Sequence, residues 1–549
     1  MDKTLKSTAS AIDPIALEMG WSRLISILDE ASNFLLRTSF SSIVREAKDF
    51  TIVLIDSRGR VVAHPTSGCP PFNGTMPRTI RHLMEAFPLS QWNDGDFIVT
   101  NDPWMGTGHL NDVSAARPIF RNGQLVGFAG VVAHMADIGG IMWSATSREI
   151  FEEGLQIPRM KLFESGRPNA TAFRFIRQNV RKPDIVEGDL YAMLAATEVV
   201  DRRLNEFLDG FGDSLWGVLA DEMIERTGEA MRREIRRIPN GVYENAIFLD
   251  GTDELLKLKA RITVEDESIH VDYAGSAGQV PYAINSPYCY TYAYTVYPLK
   301  CLCSPNTPNN QGTFDAITVS APEGSILNPT YPAPTSARML AGHPLHAALF
   351  GALAKAMPDR VIADSAAPRP IILVSGYRED GVRFHMPFFL MGGMGASAHR
   401  DGPSCLPYPT NVRSTPVELM ESEAAILIEY KELVADSGGA GMHRGGSAQE
   451  IKLRNRSPHP IHISLITERT KTAPAGLFGG GGGMRPRFEL EDGTALNPKG
   501  IHVVNSGEAI VVRAHGGGGY GDPRRRHPSL LEHDLRNGYV TAQKLADVT

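Results

Sequence analysis

Four glycine clusters in the second half of the chain constrain its fold more than any other feature: MGGMG (391–395), DSGGAGMHRGG (436–446), FGGGGGM (478–484) and HGGGGYGDP (515–523). Glycine costs backbone entropy, so runs of it belong where the chain turns tightly or where backbones approach closely. The chain holds 53 Gly and 37 Pro among 549 residues, above the usual ~7% and ~5%. That excess excludes a helical bundle or coiled coil and predicts many loops. A phosphate-binding use is disfavoured: the Gly-Lys dipeptide of a Walker loop is absent. Gly516, Gly518 and Gly521 satisfy G-x-G-x-x-G, but Asp522-Pro523 follows where a helix should begin. Gly393 and Gly395 lead into SAHRDG rather than an amphipathic helix. No HExxH or G-x-S-x-G motif occurs either.

With 42% hydrophobic and 21% charged residues the chain can bury a large core; roughly 150 residues per domain gives about three to four domains, or fewer large ones. Acidic residues exceed basic ones by 62 − 55 = 7 and the pI is near 6.2, which leaves no electrostatic footprint for nucleic acid or an anionic membrane. Cys69, Cys289, Cys301, Cys303 and Cys405 are scattered, odd in number and form no Cys-x-x-Cys. They predict free buried thiols in a reducing cytoplasm rather than disulfides or a zinc ribbon. The opening MDKTLKSTASAIDP lacks the apolar segment of a secretory leader, and no 18-residue apolar run occurs, so no membrane span is expected.

Asp13 as cap and Pro14 in the first turn open a helix in which Leu17, Trp21, Leu24, Leu28, Ala31 and Leu35 recur at helical spacing. TIVLID and VVAH about SRGR read as a hairpin, and residues 96–135 as strands around a glycine-bearing loop. Residues 184–236 read as helix, LLKLKARITVEDESIHVDYAG as two strands about a turn, 344–357 as a buried helix, and the last stretch from His527 as a short helical element. The predicted class is α+β, mixed and multi-domain, β-rich with glycine-rich loops and an N-terminal helical segment. Two broad halves follow, 1–240 and a β-rich, glycine-rich 241–549.

The chemistry-bearing residues concentrate in NDPWMGTGHLND (101–112) and HMADIGG (134–140) of the first half. His109 and Asp112 lie three apart on a loop, and His134 ends an apolar strand. Two imidazoles and a carboxylate suit a borderline divalent ion and leave positions open for water or substrate. The same spacing admits a plainer use, with Asp112 capping its loop and His134 hydrogen-bonded in the core. Asp49, at the start of the strand after the first helix, is a fourth acidic candidate; Asp102, Asp137 and Glu153 add carboxylates close in sequence. Acids and imidazoles at this density fit a site better than a solvated surface.

These stretches, with REAKDFTIVLIDSRGRVVAH, PPFNGTM, IFEEGLQIP, IRQNVRKPDIVEGDL, VDYAGSAGQVPYAIN, PNNQG, PEGSILNP and the glycine clusters, run from about residue 12 to 540. In that order they resemble the hydantoinase B family: the B subunit of ATP-dependent N-methylhydantoinase, the C-terminal half of 5-oxoprolinase, and the matching subunits of caprolactamase, acetone carboxylase and acetophenone carboxylase. The combination ND-P, G-x-x-H-x-x-D, H-x-x-D-I-G-G and D-S-G-G-A-G carries the resemblance.

The resemblance implies a divalent metal, zinc, manganese or iron, held by His109, Asp112 and His134, with Asp49 as a further ligand or close neighbour. It also implies ATP bound on a separate hydantoinase A-type subunit, hence a hetero-oligomer. That partner would phosphorylate a small cyclic amide of the hydantoin or oxoproline type, and this chain would complete its hydrolysis with Asp49, Asp137 or Glu153 as general base. The alternatives are the metal-bearing subunit of an ATP-dependent ketone carboxylase and a non-catalytic scaffold. One departure stands out: where many members have P-x-H-x-G-x-M, this chain has Phe72, which neither binds metal nor shuttles a proton.

Overall fold

The computed structural model describes residues 12–546 except 253 and 407. The reading of the N-terminus as leader-free rests on residues 1–11, which lie outside the described residues, as do the last three residues of the C-terminal helical element. The architecture is mixed α+β, as the sequence predicts.

The first helix runs Pro14–Thr38, and the Asp13 carboxylate accepts from the amides of Ile15 at 3.0 Å and Ala16 at 3.2 Å. Of its apolar stripe, Leu17, Leu24, Leu28, Ala31 and Leu35 are buried and Trp21 is half-buried against the same core. A seven-stranded sheet follows, built from β1 (Phe50–Asp56), β2 (Val61–Ala63), β3 (Phe97–Thr100), β4 (Asp112–Arg121), β5 (Gln124–His134), β6 (Met160–Glu164) and β7 (Arg167–Pro168) in the order β2-β1-β5-β4-β3-β6-β7. Its central strands are almost wholly buried, which explains why they read as apolar runs rather than alternating patterns.

Several helices escaped the sequence reading, two of them long and beside the site. Pro70–Ala86 begins with two prolines, tolerated in a first turn, and packs its Gly74 against Ala293, 3.2 Å from where a Cβ would stand. That partner belongs to Tyr288–Cys303, a helix rich in buried tyrosine and threonine whose composition favours strand. The expected helices over 184–236 appear as Pro183–Phe211 and Trp216–Ile235, and the buried helix within 344–357 as Leu345–Leu353.

Beyond residue 240 lie three four-stranded sheets. β8 (Gly241–Leu249), β9 (Leu256–Glu265), β10 (Ser268–Asp272) and β11 (Ile317–Ser320) form one, with β10 and β11 parallel. β12 (Ile371–Tyr377), β13 (Arg383–Phe389), β16 (Ile461–Ile466) and β18 (Ile501–Val504) form the second. β14 (Ile426–Leu433), β15 (Gln449–Asn455), β17 (Arg487–Leu490) and β19 (Ala509–Arg513) form the third. These last two enclose a separate core that includes Phe384, Ile428, Leu453, Leu465 and Val512. The main core runs from Ile12 through the first sheet and on to Leu353 and Met391, across residue 240 without a break.

The glycine clusters are mostly not turns. They run as extended segments outside any strand and hydrogen-bond to one another: Gly446 N to Met394 O at 2.9 Å, Gly517 N to Gly446 O at 2.9 Å, and Gly439 N to Gly517 O at 2.8 Å. A Cβ at Gly393 would stand 1.9 Å from Gly446 O, and one at Gly517 2.0 Å from Met394 O. Close backbone approach is what these residues serve. Among the described residues no helix is long and apolar enough to cross a membrane, and all five cysteines are free.

Candidate metal centre

Strand register builds most of the site. Asp112, first in β4, pairs directly with His134, last in β5. On the other side of β5, Phe50 pairs with Ala133, and the His134 amide donates to Asp49 O at 3.0 Å. Three adjacent strand ends therefore present Asp49, His134 and Asp112 in one row, with neighbouring strands about 4.8 Å apart. His109 enters from the loop before β4, whose Gly108 backbone has φ +96° and passes so close to Arg338 that a Cβ would stand 2.6 Å from its Cδ.

All three ligand candidates are buried, and one donor atom from each of His109, Asp112 and His134 lies within 4.8 Å of the others. The His134 Nδ1 is 2.8 Å from Asp112 Oδ1. His109 Nδ1 lies 3.0 Å from the carbonyl of Ser336, which fixes the proton on that nitrogen and leaves Nε2 with its lone pair. That Nε2 is buried, has no hydrogen-bond partner, and yet lies 3.0 Å from Asp112 Oδ1. Two acceptors in contact are what a cation reconciles. Burial and the Arg338 guanidinium push the His109 imidazole down to about 4, so it is neutral and ligand-competent near pH 7. Burial alone would raise Asp112, but His109 and Arg338 outweigh it and hold the carboxyl well below the usual range. The residues fit a divalent ion.

Around the ligands the second half of the chain supplies the supports. Arg338 donates to Asp112 Oδ2 at 2.7 Å and to Thr107 O at 2.6 Å, with its guanidinium 3.9 Å over the Tyr290 ring. Thr107 Oγ1 donates to the same Oδ2 at 2.6 Å. Trp143 shares the Ser336 carbonyl with His109, its Nε1 2.8 Å away, and its ring lies 4.9 Å from that of His134. Sequence reasoning assigned residues 241–549 no chemistry and missed Tyr290, Ser336, Arg338 and Arg369. The available signal was charge out of place: Arg338 sits in SARMLAG and Arg369 just before IILV, arginines where a buried run is being laid down.

The three candidate bases have separate fates. Asp137 is bound to Arg181, whose Nη1 donates at 2.7 Å and whose backbone amide also donates to the carboxylate. Glu153 accepts from the amides of Thr335 at 2.6 Å and Ser336 at 2.8 Å and from Ser147 Oγ at 2.9 Å; burial nevertheless pushes its carboxyl up to about 7. Both hold loops in place. Asp49 lies outside the three-ligand group but lines a cavity with His109, Asp112, His134 and Arg369, and burial raises its carboxyl. Phe72 and Cys69 line the same cavity, so the residue that departs from the expected pattern borders the site itself. Asp102 instead caps its own loop, accepting from the Trp104 amide at 2.9 Å.

A family profile described as Hydantoinase B/oxoprolinase matches residues 13–523. The B subunit of a putative D-/L-hydantoinase from a Pseudomonas species is 28% identical over 562 residues, covering 97% of this chain and 94% of that protein. The crystal structure of an ATP-dependent caprolactamase from Pseudomonas jessenii superposes with a TM-score of 0.89 at 27% identity, covering 97% of this chain and 95% of that one. A nucleotide-free acetone carboxylase superposes with a TM-score of 0.86 at 18% identity, covering 98% of this chain and 79% of that one, a likeness of fold.

Proposed function

The chain belongs to the hydantoinase B/oxoprolinase family, and from that premise we propose that it is the metal-bearing subunit of an ATP-dependent cyclic-amide hydrolase. The observation that carries this reading is the unpartnered lone pair of His109 Nε2, turned toward Asp112 beside His134 in a buried pocket. ATP is used on a separate A-type subunit, which phosphorylates the oxygen of a hydantoin, oxoproline or lactam ring and so activates a bond that otherwise resists water. The whole-length match to a protein named as one subunit of a hydantoinase supports a partnered role.

In this reading His109, Asp112 and His134 hold the ion. When bound, a divalent cation supplies Lewis acidity, stabilising negative charge on oxygen and lowering the pKa of water. Ser336 keeps the His109 proton on Nδ1, and Arg338 with Thr107 pins Asp112 so that Oδ1 faces the imidazoles. Asp49 takes the proton of the attacking water: it borders the cavity and, unlike Asp137 and Glu153, is not bound up in holding a loop. A carboxyl raised by burial is a better base than an ordinary one.

The test is phosphate release by this chain co-expressed with its A-type partner, given hydantoin, N-methylhydantoin, 5-oxoproline or caprolactam, each with and without bicarbonate. Turnover of a ring amide without bicarbonate, lost in His109→Ala, is the expected result. A requirement for bicarbonate and a ketone would move the chain to the carboxylases. A folded chain holding no stoichiometric metal, and unaffected by His109→Ala, would make it a scaffold.

A further inference from the structure

Among the described residues five arginines are buried, and four of them have a carboxylate partner. Arg338 pairs with Asp112, Arg469 with Asp364, and Arg444 and Arg526 both with Asp534. The fifth, Arg369, is 5% exposed and makes no direct ion pair; the strongest charge acting on it is that of Asp49, which lines the same cavity. It precedes β12 and lines the cavity beside His109, Asp112 and His134. Its Nη1 donates to Thr410 Oγ1 at 2.8 Å, its guanidinium lies 4.5 Å over the Phe389 ring, and its Nε is buried without any partner. A buried charge without a direct ion pair is expensive, and proteins otherwise pair it or neutralise it. The neighbouring Arg338 shows how this chain does so when an arginine serves a structural end.

We propose that Arg369 is the anion-binding residue of this cavity and takes the phosphoryl group of the activated substrate; the identity of that anion rests on the hydrolase reading above. The planar guanidinium suits bidentate contact with phosphoryl oxygens, and its free Nε belongs to the edge that makes such a contact. The charge balance agrees. Arg338 and Arg369 against Asp49 and Asp112 sum to zero, and a divalent ion on the three ligands leaves an excess of two positive charges, the complement of a phosphoryl dianion. The aromatic face of Phe389 and the hydroxyl of Thr410 orient the guanidinium before substrate arrives.

Inorganic phosphate, titrated calorimetrically into the metal-loaded full chain, tests this without any turnover. Phosphate is expected to bind the wild type, at least tenfold more weakly to Arg369→Met, and with intermediate affinity to Arg369→Lys, all three with the same metal content. Because the metal-loaded cavity already carries an excess of positive charge, Arg369→Met is expected to melt no lower than the wild type, whereas a structural arginine would lower the melting temperature. Equal phosphate affinity in wild type and Arg369→Met, bicarbonate held more tightly than phosphate, or a clear fall in melting temperature would each overturn the proposal. Arg369-dependent phosphate binding without turnover of any ring amide would instead fell the substrate reading and leave this assignment standing.

Discussion

Asp112 is where the residue-scale argument concentrates, because each of its oxygens has a different task. Oδ1 faces the imidazoles, while Oδ2 is fixed by Thr107 and Arg338. Removing one member of a buried ion pair leaves the other charge stranded, typically at about 3–5 kcal/mol. Arg338→Met is therefore expected to lose about that much stability in urea unfolding, and to bind zinc or manganese roughly 10–100-fold more weakly through loss of ligand orientation; unchanged metal affinity would sink the orienting role. Glu153 gives a pH signature. Its carboxyl titrates near 7 in the fold against an ordinary 4.5, so the folded state holds its proton the more tightly. The stabilisation is complete below about pH 4.5 and is lost as pH rises through 7, about 3 kcal/mol in all. Glu153→Gln keeps a neutral acceptor for the Thr335 and Ser336 amides at every pH. Its stability relative to wild type is expected to improve by about that amount between pH 4.5 and 8, measured by denaturant titration, and a pH-independent difference would show that Glu153 holds its proton no more tightly in the fold than in the unfolded chain.

At the scale of elements, the loop after β5 is what turns a row of strand ends into an enclosed pocket. Arg181, two residues before the Pro183–Phe211 helix, clamps this loop through Asp137 and the carbonyls of Gly139 and Gly140. Gly139 is pressed so near the end of the helix Ala170–Asn179 that a Cβ would stand 2.1 Å from Asn179 O. Arg181→Met should leave Asp137 unpaired, destabilise the chain by about 3–5 kcal/mol and raise amide exchange over 136–143, while the three ligands still bind metal. Unaltered exchange there would mean that the clamp is incidental. The strands carrying the ligands were legible because their burial makes them continuous apolar runs bounded by polar loops. The helices Pro70–Ala86 and Tyr288–Cys303 were not, because tertiary packing overrides the local bias of their prolines and tyrosines. Residue type and spacing singled out His109, Asp112 and His134 as candidates, with a plainer use of Asp112 and His134 left open, and the family resemblance made them the candidate ligand set. The ranking of Asp49, Asp137 and Glu153 could not, since it depends on which carboxylate a distant Arg181 or Ser336 engages, and sequence does not give those distances.

For the molecule as a whole, the second half closes the site that the first half begins, and the glycine segments make that closure possible. Asp364, Arg369 and Phe389 lie on chain that enters or leaves this block: Gly518 N donates to Asp364 O at 2.8 Å, and Gly393, four residues past Phe389, donates to His515 O at 3.0 Å. The sequence foretold glycine's close approach but not that the chain flanking these segments would supply one wall of the cavity, because the bonds between clusters join residues more than 30 positions apart. In this block the demand is for space: the missing Cβ positions are occupied by carbonyl oxygens, at 2.0 Å for Gly517 and 1.9 Å for Gly393. No rotamer relieves a clash with backbone, so Gly517→Ala must part the segments and give up the bonds between Gly517 and both Gly446 and Gly439. It is expected to cost more than about 4 kcal/mol, at the extreme of single substitutions, and to weaken phosphate binding at Arg369 as well. Gly210 and Gly217 sit in helices with nothing within 4 Å of a Cβ. There the same change removes only unfolded-chain freedom and should stabilise by about 0.5–1 kcal/mol. Denaturant unfolding of the three variants side by side measures both signs. If Gly517→Ala behaved like the two helical substitutions, the glycine block would be a loosely joined surface and not the frame that holds Arg369 against the metal centre.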